Sequence, residues 1–215
     1  MELTTHQIQR VENYLKHKGI YYEDIKIEIL DHFLSDIEDQ MYNNISFEDA
    51  FTNSKLKWLP HLTYSSSFHT GYAYSKPKFV IEKLKTFVKY NNYKIYGITL
   101  LLILGIKLNK FEIVVPHSSI VRAIVDGWIL FTSAAIIISY IFILLKKVKT
   151  SYRFIFETQI LGYLFFPLFM RGSNFLKNGN ADLFDISIIL YSIVIVHFAV
   201  KVFRKHLEFI KTDIA

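Results

Sequence analysis

The apolar block from Ile124 to Leu145 restricts the possible folds of this chain more than any other feature. Thirteen of its residues are Ile, Leu, Val or Phe. At about 0.5 kcal/mol each, these side chains favour insertion into a bilayer by roughly 6 kcal/mol. A helix of this length covers the hydrocarbon layer of about 30 Å. The block therefore predicts a transmembrane helix, with Asp126 at its edge, where a charge costs less than at the bilayer centre.

Three further segments have the length or the composition of a membrane span. The first has a short apolar centre and must extend at both ends, with lysine side chains that reach the headgroups. The third is long enough but carries Glu157. The last is apolar, and its polar residues are mostly Ser, Tyr and one His. Residues 79–215 are thus predicted to form a basic lead-in and a four-span membrane domain, with spans at about 90–108, 124–145, 154–170 and 183–203.

Lysine and arginine are distributed unevenly around these spans. Fourteen lie before the first span, between the second and third, and after the fourth, whereas five lie in the other two loops. Because cytoplasmic loops carry the excess of Lys and Arg, both termini and the middle loop are predicted to face the cytoplasm. An even number of spans is then required, and four spans satisfy every basic cluster. The sequence therefore predicts a multi-pass protein of the inner (plasma) membrane.

The N-terminal part, residues 1–60, differs sharply in composition from the membrane half. Residues 21–50 hold nine carboxylates and one lysine, Lys26. The segment is too polar to enter a bilayer and too short to build a large core. It is therefore predicted to be a small acidic domain in the cytoplasm that leans on the membrane half or on a partner.

Local signals divide this acidic domain into three helices. Each predicted helix has apolar residues at helical spacing, and acidic residues crowd the first turn of the second. The signals are Thr4 and Gln7 as a capping box, a second helix from about Glu23 to Tyr42, Ser46 as the cap of the third helix and Pro60 as its end.

Two segments connect the acidic domain to the first span. Residues 61–78 contain few aliphatic side chains and much Ser and Tyr, so they are expected to form a linker. The basic amphipathic stretch from Phe79 to Tyr90 is expected either to lie on the inner leaflet or to run continuously into the first span. The predicted fold class is all-α, with a small cytoplasmic three-helix domain followed by a four-helix transmembrane bundle.

The segment KHKGIYYEDIKIEILDHFLSDIEDQM, followed by SFEDAF and Trp58, carries a resemblance to a known module. Over about residues 8–60 the chain resembles the HAAS-type, or permease-prefix, helical N-terminal domains of bacterial multi-span membrane proteins. Its composition, rich in Ile, Lys, Asn, Tyr and Phe, is similar to that of Bacteroidota proteins of this kind. Such domains often occur alongside PadR-like transcriptional repressors. The resemblance implies a cytoplasmic signalling or interaction domain on a membrane anchor, without catalytic residues.

Glu157 and His197 form the candidate intramembrane polar pair. Glu157 follows Arg153 by four residues and His197 precedes Lys201 by four residues, so both are predicted to lie about one turn inside the cytoplasmic surface. A carboxylate at this depth is costly unless it is paired or hydrated, and the two are predicted to face each other or a common cavity. A proton or cation relay, a helix–helix hydrogen bond and a Glu157 side chain that reaches the interface all remain open.

The second predicted helix carries a candidate partner-binding acidic face. Three of its residues stand at i, i+4 and i+8, a spacing that places them on one side of the helix. Three ligands on one helix rarely complete a tetrahedral site, so no metal is predicted there. The face consists of Glu28, Asp31, His32, Asp36 and Asp39.

Enzyme signatures such as H-E-x-x-H, G-x-S-x-G, the Walker loop and G-x-G-x-x-G are missing from the sequence, so neither catalysis nor a cofactor is expected. The positive excess lies beside the apolar blocks, which indicates membrane lipids and not nucleic acid as a partner. The predicted function is a regulatory or sensory one, through a cytoplasmic or membrane protein partner of the acidic domain. The alternative is a transporter or permease subunit in which Glu157 and His197 line a polar path. Homo-oligomerisation is left open.

Overall fold

The computed structural model describes residues 3–108, 112–165 and 179–213. The chain divides into two compact units. The first unit consists of Met1–Phe87 together with the short segment Val148–Ser151, and the second consists of Val88–Lys147 and Tyr152–Ala215. The described residues are mainly helical, as predicted, with two short two-stranded sheets.

The first unit begins with three helices at the predicted places. They are α1 (Thr5–His17), α2 (Glu23–Tyr42) and α3 (Phe47–Leu62). The predicted capping box is confirmed, because the Thr4 hydroxyl accepts the Gln7 N–H and the Gln7 side chain accepts the Thr4 N–H. Ser46 caps α3 as predicted. Pro60 lies inside the last turn of α3 and does not end the helix, which continues to Leu62.

One face of each helix builds the core of the first unit. Phe33 of α2 is fully buried at its centre, with its ring 5.9 Å from Tyr14, 6.2 Å from Phe51 and 5.8 Å from Trp58. These rings come from all three helices, so Phe33 connects them. The same core contains Val11, Leu15, Ile20, Ile25, Ile29, Ile37, Ala50, Leu62, Val80, Ile81 and Leu84.

Residues 61–78, expected to be a linker, contain a short antiparallel hairpin of β1 (Tyr64–Ser65) and β2 (Lys76–Pro77). The next helix, α4 (Lys78–Leu108), follows directly. Of the two arrangements expected for the amphipathic stretch, α4 has the continuous one, since it runs unbroken through residues 79–108. In the first unit, its side chains Val80, Ile81 and Leu84 are buried in the protein, and Phe79 and Phe87 are partly buried.

The second unit holds the longest apolar helices. Its elements after α4 are β3 (Glu112–Val114), α5 (Ser118–Leu145), α6 (Ser151–Ile155, which begins in the first unit), β4 (Asn180–Asp182) and α7 (Leu183–Asp213). A π-helical turn, Phe156–Ile160, and a 3-10 turn, Leu161–Phe165, follow α6. β3 and β4 pair antiparallel, with Ile113 opposite Ala181. Near this sheet, Ile129 of α5 and Ile188 of α7 are buried in one apolar cluster.

Among the described residues, two helices are long and apolar enough to cross a membrane, and the predicted number was four. They correspond to Ser118–Leu145 and Asp185–Thr212. The predicted third span is not one regular helix over its described part, and residues 166–170 of that span lie outside the described residues. The predicted first span forms the second half of α4, whose apolar centre is shorter than a full span.

The two apolar helices are mostly uncovered by the protein. Only 28% of the most apolar window of α5 and 39% of that of α7 are buried inside the structure. Phe131 of α5 is 70% exposed and Ile138 is 67% exposed. A core helix of a water-soluble protein would bury such side chains, because each exposed one forgoes about 1.5–3 kcal/mol of transfer free energy.

Candidate functional site

The predicted acidic face of α2 is divided in the structure into paired and exposed residues. Glu28 forms an ion pair with Lys83 of α4. Asp36 forms an ion pair with Lys57 of α3 and accepts a hydrogen bond of 2.8 Å from the Ser54 hydroxyl. Both carboxylates therefore connect α2 to its neighbours inside the first unit and have a structural role.

Asp31 and Asp39 are exposed, and neither has an ion pair among the residues that the structure describes. They lie on the side of α2 that faces away from the core, in line with Ser35, which is also exposed. Ile27 and Tyr42, which are 45% and 80% exposed, stand at the two ends of this row. We call the row Ile27, Asp31, Ser35, Asp39 and Tyr42 the acidic strip.

His32 belongs to a different surface from the acidic strip. Its ring is exposed and stacks on Trp58 of α3, with ring centroids 6.4 Å apart. The other edge of the same indole contacts His61, at 5.8 Å. No group of three His, Cys, Asp or Glu side chains in the described parts of the chain could hold a metal ion. His32 is thus part of an aromatic contact between α2 and α3.

Asp24, in the first turn of α2, was not predicted as a site residue. Its carboxylate accepts two hydrogen bonds from Ser151, one from the backbone N–H at 2.7 Å and one from the hydroxyl. Next to it, the Glu23 N–H donates to the Lys149 carbonyl at 2.9 Å. These bonds hold the segment Val148–Ser151 on the first unit, and Thr150 is fully buried there.

Partial burial shifts the titration of Asp24. It raises the pKa of the Asp24 carboxyl above its ordinary value, although the hydrogen bonds from Ser151 act in the opposite direction. The side chain is a half-buried acceptor for the first N–H of α6, a group that otherwise has no partner inside its own helix. A separation of 127 residues between the partners explains why no local pattern could reveal the contact.

In the second unit, Glu157 lies in the π-helical turn. Its hydrogen-bond partners are Arg153 and Tyr140, whereas the sequence suggested His197. Its Oε1 accepts a hydrogen bond of 2.9 Å from Arg153 Nε and one of 3.3 Å from the Tyr140 hydroxyl. His197 is exposed on α7, and no hydrogen bond or ion pair within the described residues joins it to Glu157. The sequence predicted that Glu157 and His197 lie at the same depth. Depth alone does not determine on which side of α7 the His197 side chain lies.

A second polar cluster lies between α5, the 3-10 turn and α7. The hydroxyl groups of Thr132 and Tyr163 are 2.9 Å apart, and both residues are buried. The Trp128 indole N–H donates to the Ser192 hydroxyl over 3.3 Å. Such bonds satisfy polar groups that would otherwise be costly in an apolar environment, and so they join the helices.

The sequence did not indicate Tyr140, Arg153 or the second polar cluster as parts of a site. The Arg153–Glu157 pair had a local signal, because oppositely charged residues at i and i+4 meet on a helix. The contacts of Tyr140, Thr132 and Tyr163 join segments that are far apart in the chain, so no local sequence pattern indicated them. Comparison with protein families, characterised proteins and solved structures finds no match for this chain.

Proposed function

We propose that this chain is a four-span inner-membrane protein with both termini in the cytoplasm. In this proposal its three-helix domain binds a basic region of a partner protein and has a regulatory or sensory role. The membrane part of the proposal is supported by the largely uncovered apolar surfaces of α5 and α7 and by the excess of Lys and Arg in alternate loops. The resemblance to HAAS-type domains of bacterial membrane proteins favours the same arrangement.

The acidic strip is the observation that carries the binding part of the proposal. Glu28 and Asp36 are neutralised by lysines of the same unit, whereas Asp31 and Asp39 are exposed and lack an ion pair within the described structure. The two free carboxylates are eight residues apart on one helix face, and Tyr42 beside them offers an exposed aromatic ring. Lysine and arginine side chains of a partner would complement this surface.

Crosslinking from the acidic strip tests this proposal. A photo-crosslinking residue is placed at Ser35, between the two carboxylates, in the full-length protein in native membranes. We expect one dominant protein adduct whose recovery falls in the double variant Asp31→Asn, Asp39→Asn. Exposed charge pairs contribute at most about 1 kcal/mol each, so affinity falls by up to about thirtyfold.

The matched control neutralises two carboxylates elsewhere on the same unit, Glu12→Gln with Glu82→Gln. These substitutions change the net charge equally and leave the acidic strip intact. Equal loss of the adduct in both double variants would indicate a general charge effect. That result, or the lack of any specific adduct from Ser35, would overturn the binding proposal.

A transporter or permease subunit is the second candidate function. The observation that favours it is the departure from α-helical geometry at Glu157, since π-helical turns occur often at functional sites and interrupted spans mark transport paths. In this reading Glu157 and His197 act at different points of a polar path. Loss of a proton-linked flux in Glu157→Gln and His197→Gln, at unchanged protein level, would support transport, and unchanged flux would exclude it.

A further inference from the structure

The segment between β1 and β2, together with the two strands, forms an ordered loop that we call the aromatic hairpin, residues 64–77. Tyr64 pairs with Pro77, and Ser65 pairs with Lys76. Three successive turns are closed by backbone hydrogen bonds, among them Thr70 N–H to Ser67 carbonyl at 3.2 Å and Tyr74 N–H to Gly71 carbonyl at 3.1 Å. The hairpin is thus a defined structure within the first unit.

Four of its aromatic side chains are exposed, although the Tyr64 hydroxyl lies against Gly19 of the same unit. Tyr64 is 60% exposed, Phe68 is 61% exposed, Tyr72 is 71% exposed and Tyr74 is 42% exposed. The rings of Phe68 and Tyr72 contact each other, with centroids 6.1 Å apart. Exposed aromatic rings that cluster on one loop are typical of an interaction surface and uncommon on a surface that only contacts water.

Charge indicates what this surface contacts. Residues 50–81 contain no Asp or Glu and hold four lysines, whereas residues 21–50 hold nine carboxylates. Lys76 at the base of the hairpin lies 5.9 Å from the Tyr22 ring, and Lys78 has a carboxylate neighbour, Glu82, only at 3.9 Å. The hairpin is therefore aromatic and lacks carboxylates, with Lys76 at its base and Lys78 directly after it, whereas the acidic strip carries two exposed carboxylates.

We propose that the aromatic hairpin inserts its Phe and Tyr rings into the headgroup region of an anionic bilayer, an inference that rests on the membrane anchoring proposed above. Tyrosine rings favour the membrane–water interface, and lysines beside them are attracted to anionic lipids. The acidic strip on α2 is repelled by the same lipids. In α4, Val80, Ile81 and Leu84 are buried in this unit, and the most exposed rings near them belong to the hairpin.

The chain has no cysteine, so single cysteines can be introduced and labelled cleanly. The full-length protein with Phe68→Cys or Tyr72→Cys is placed in nanodiscs that contain about one third phosphatidylglycerol, an anionic lipid. Tyr42→Cys on the acidic strip is the matched control, because Tyr42 is also an exposed aromatic residue of the first unit. The rate of alkylation by a membrane-impermeant maleimide is measured, followed by quenching of an attached fluorophore by nitroxide-labelled lipids.

We expect alkylation at the two hairpin positions to be about tenfold slower in nanodiscs than in detergent, and unchanged at position 42, which corresponds to a docking free energy of about 1.4 kcal/mol. Lipid nitroxides should quench the hairpin labels and not the control. Hairpin labels that react as fast as the control, or that are protected equally in detergent through contact with a second copy, overturn the inference. If alkaline carbonate extracts the protein from membranes, the anchoring proposal itself fails.

Discussion

The two units of this protein differ in how far their apolar side chains are buried. In the first unit, α1, α2 and α3 turn their apolar faces inward, and Phe33 is fully buried among rings from the other two helices. In the second unit, α5 and α7 contact each other along part of their surface and leave most of their apolar side chains uncovered. Hydrophobic content alone therefore does not locate a core, because the same residue types are buried in protein in one unit and are largely uncovered in the other.

Removal of one buried ring should have the largest effect. Phe33→Ala deletes a fully buried side chain that packs against Tyr14, Phe51 and Trp58, so the first unit should lose about 3–5 kcal/mol of its free energy of unfolding. Phe131→Ala on the exposed face of α5 is the matched control and should leave unfolding in detergent almost unchanged. Denaturant unfolding of the full-length protein in a Trp128→Phe background, in which Trp58 is the remaining tryptophan, measures both. Equal losses would remove the distinction between the two units.

The Asp24–Ser151 contact provides the next test. Asp24→Ala leaves the Ser151 N–H without its acceptor, which should cost about 1–3 kcal/mol and release the segment Val148–Ser151. Asp24→Asn keeps one acceptor oxygen and should lose less. Limited trypsin digestion at Lys149 reports the release, with faster cleavage expected in the alanine variant alone. Identical cleavage in all three proteins would contradict a role of Asp24 in holding this segment.

The same contact has a defined pH dependence. The pKa of Asp24 is raised in the folded protein, so the protonation-linked part of its contribution to stability, as distinct from its hydrogen bonds with Ser151, is complete below the ordinary Asp value of about 3.9 and is lost as the pH rises through the folded value. Asp24→Asn should remove this part of the pH profile. A thermal melting series across the acidic range, compared with the wild type, measures the difference.

The smallest effect is expected at the surface pair of Arg10 and Glu48. Both groups are largely exposed, and Arg10 lowers the pKa of Glu48, so its contribution is present above the ordinary Glu value and is lost as the pH falls through the folded value. Glu48→Gln should shift the melting temperature of the first unit slightly, and added salt should cancel the shift. A shift as large as that of Phe33→Ala would show that surface charge, and not the core, stabilises this unit.

Much of the first unit could be predicted from local sequence. The capping box at Thr4, the limits of α2 and the Ser46 cap follow from interactions within a few residues, and the structure contains all three. The hairpin at residues 64–77 could not be predicted, because β1 and β2 pair over only two residues, which is too short for an alternating hydrophobic pattern to show. Pro60 was expected to end α3, yet the last turn accommodates it.

The sequence by itself determined where the helices of the first unit form, that α5 and α7 are apolar enough to cross a membrane, and how charge is divided along the chain. These properties depend on composition and on periods of a few residues. Only the tertiary structure decided that Glu28 and Asp36 are paired while Asp31 and Asp39 are exposed. It also decided that Glu157 binds Arg153 and Tyr140, and that Asp24 holds Ser151. The physical reason is that helical periodicity fixes the face of a residue on its own helix, whereas a contact between helices depends on the rotation and position of both.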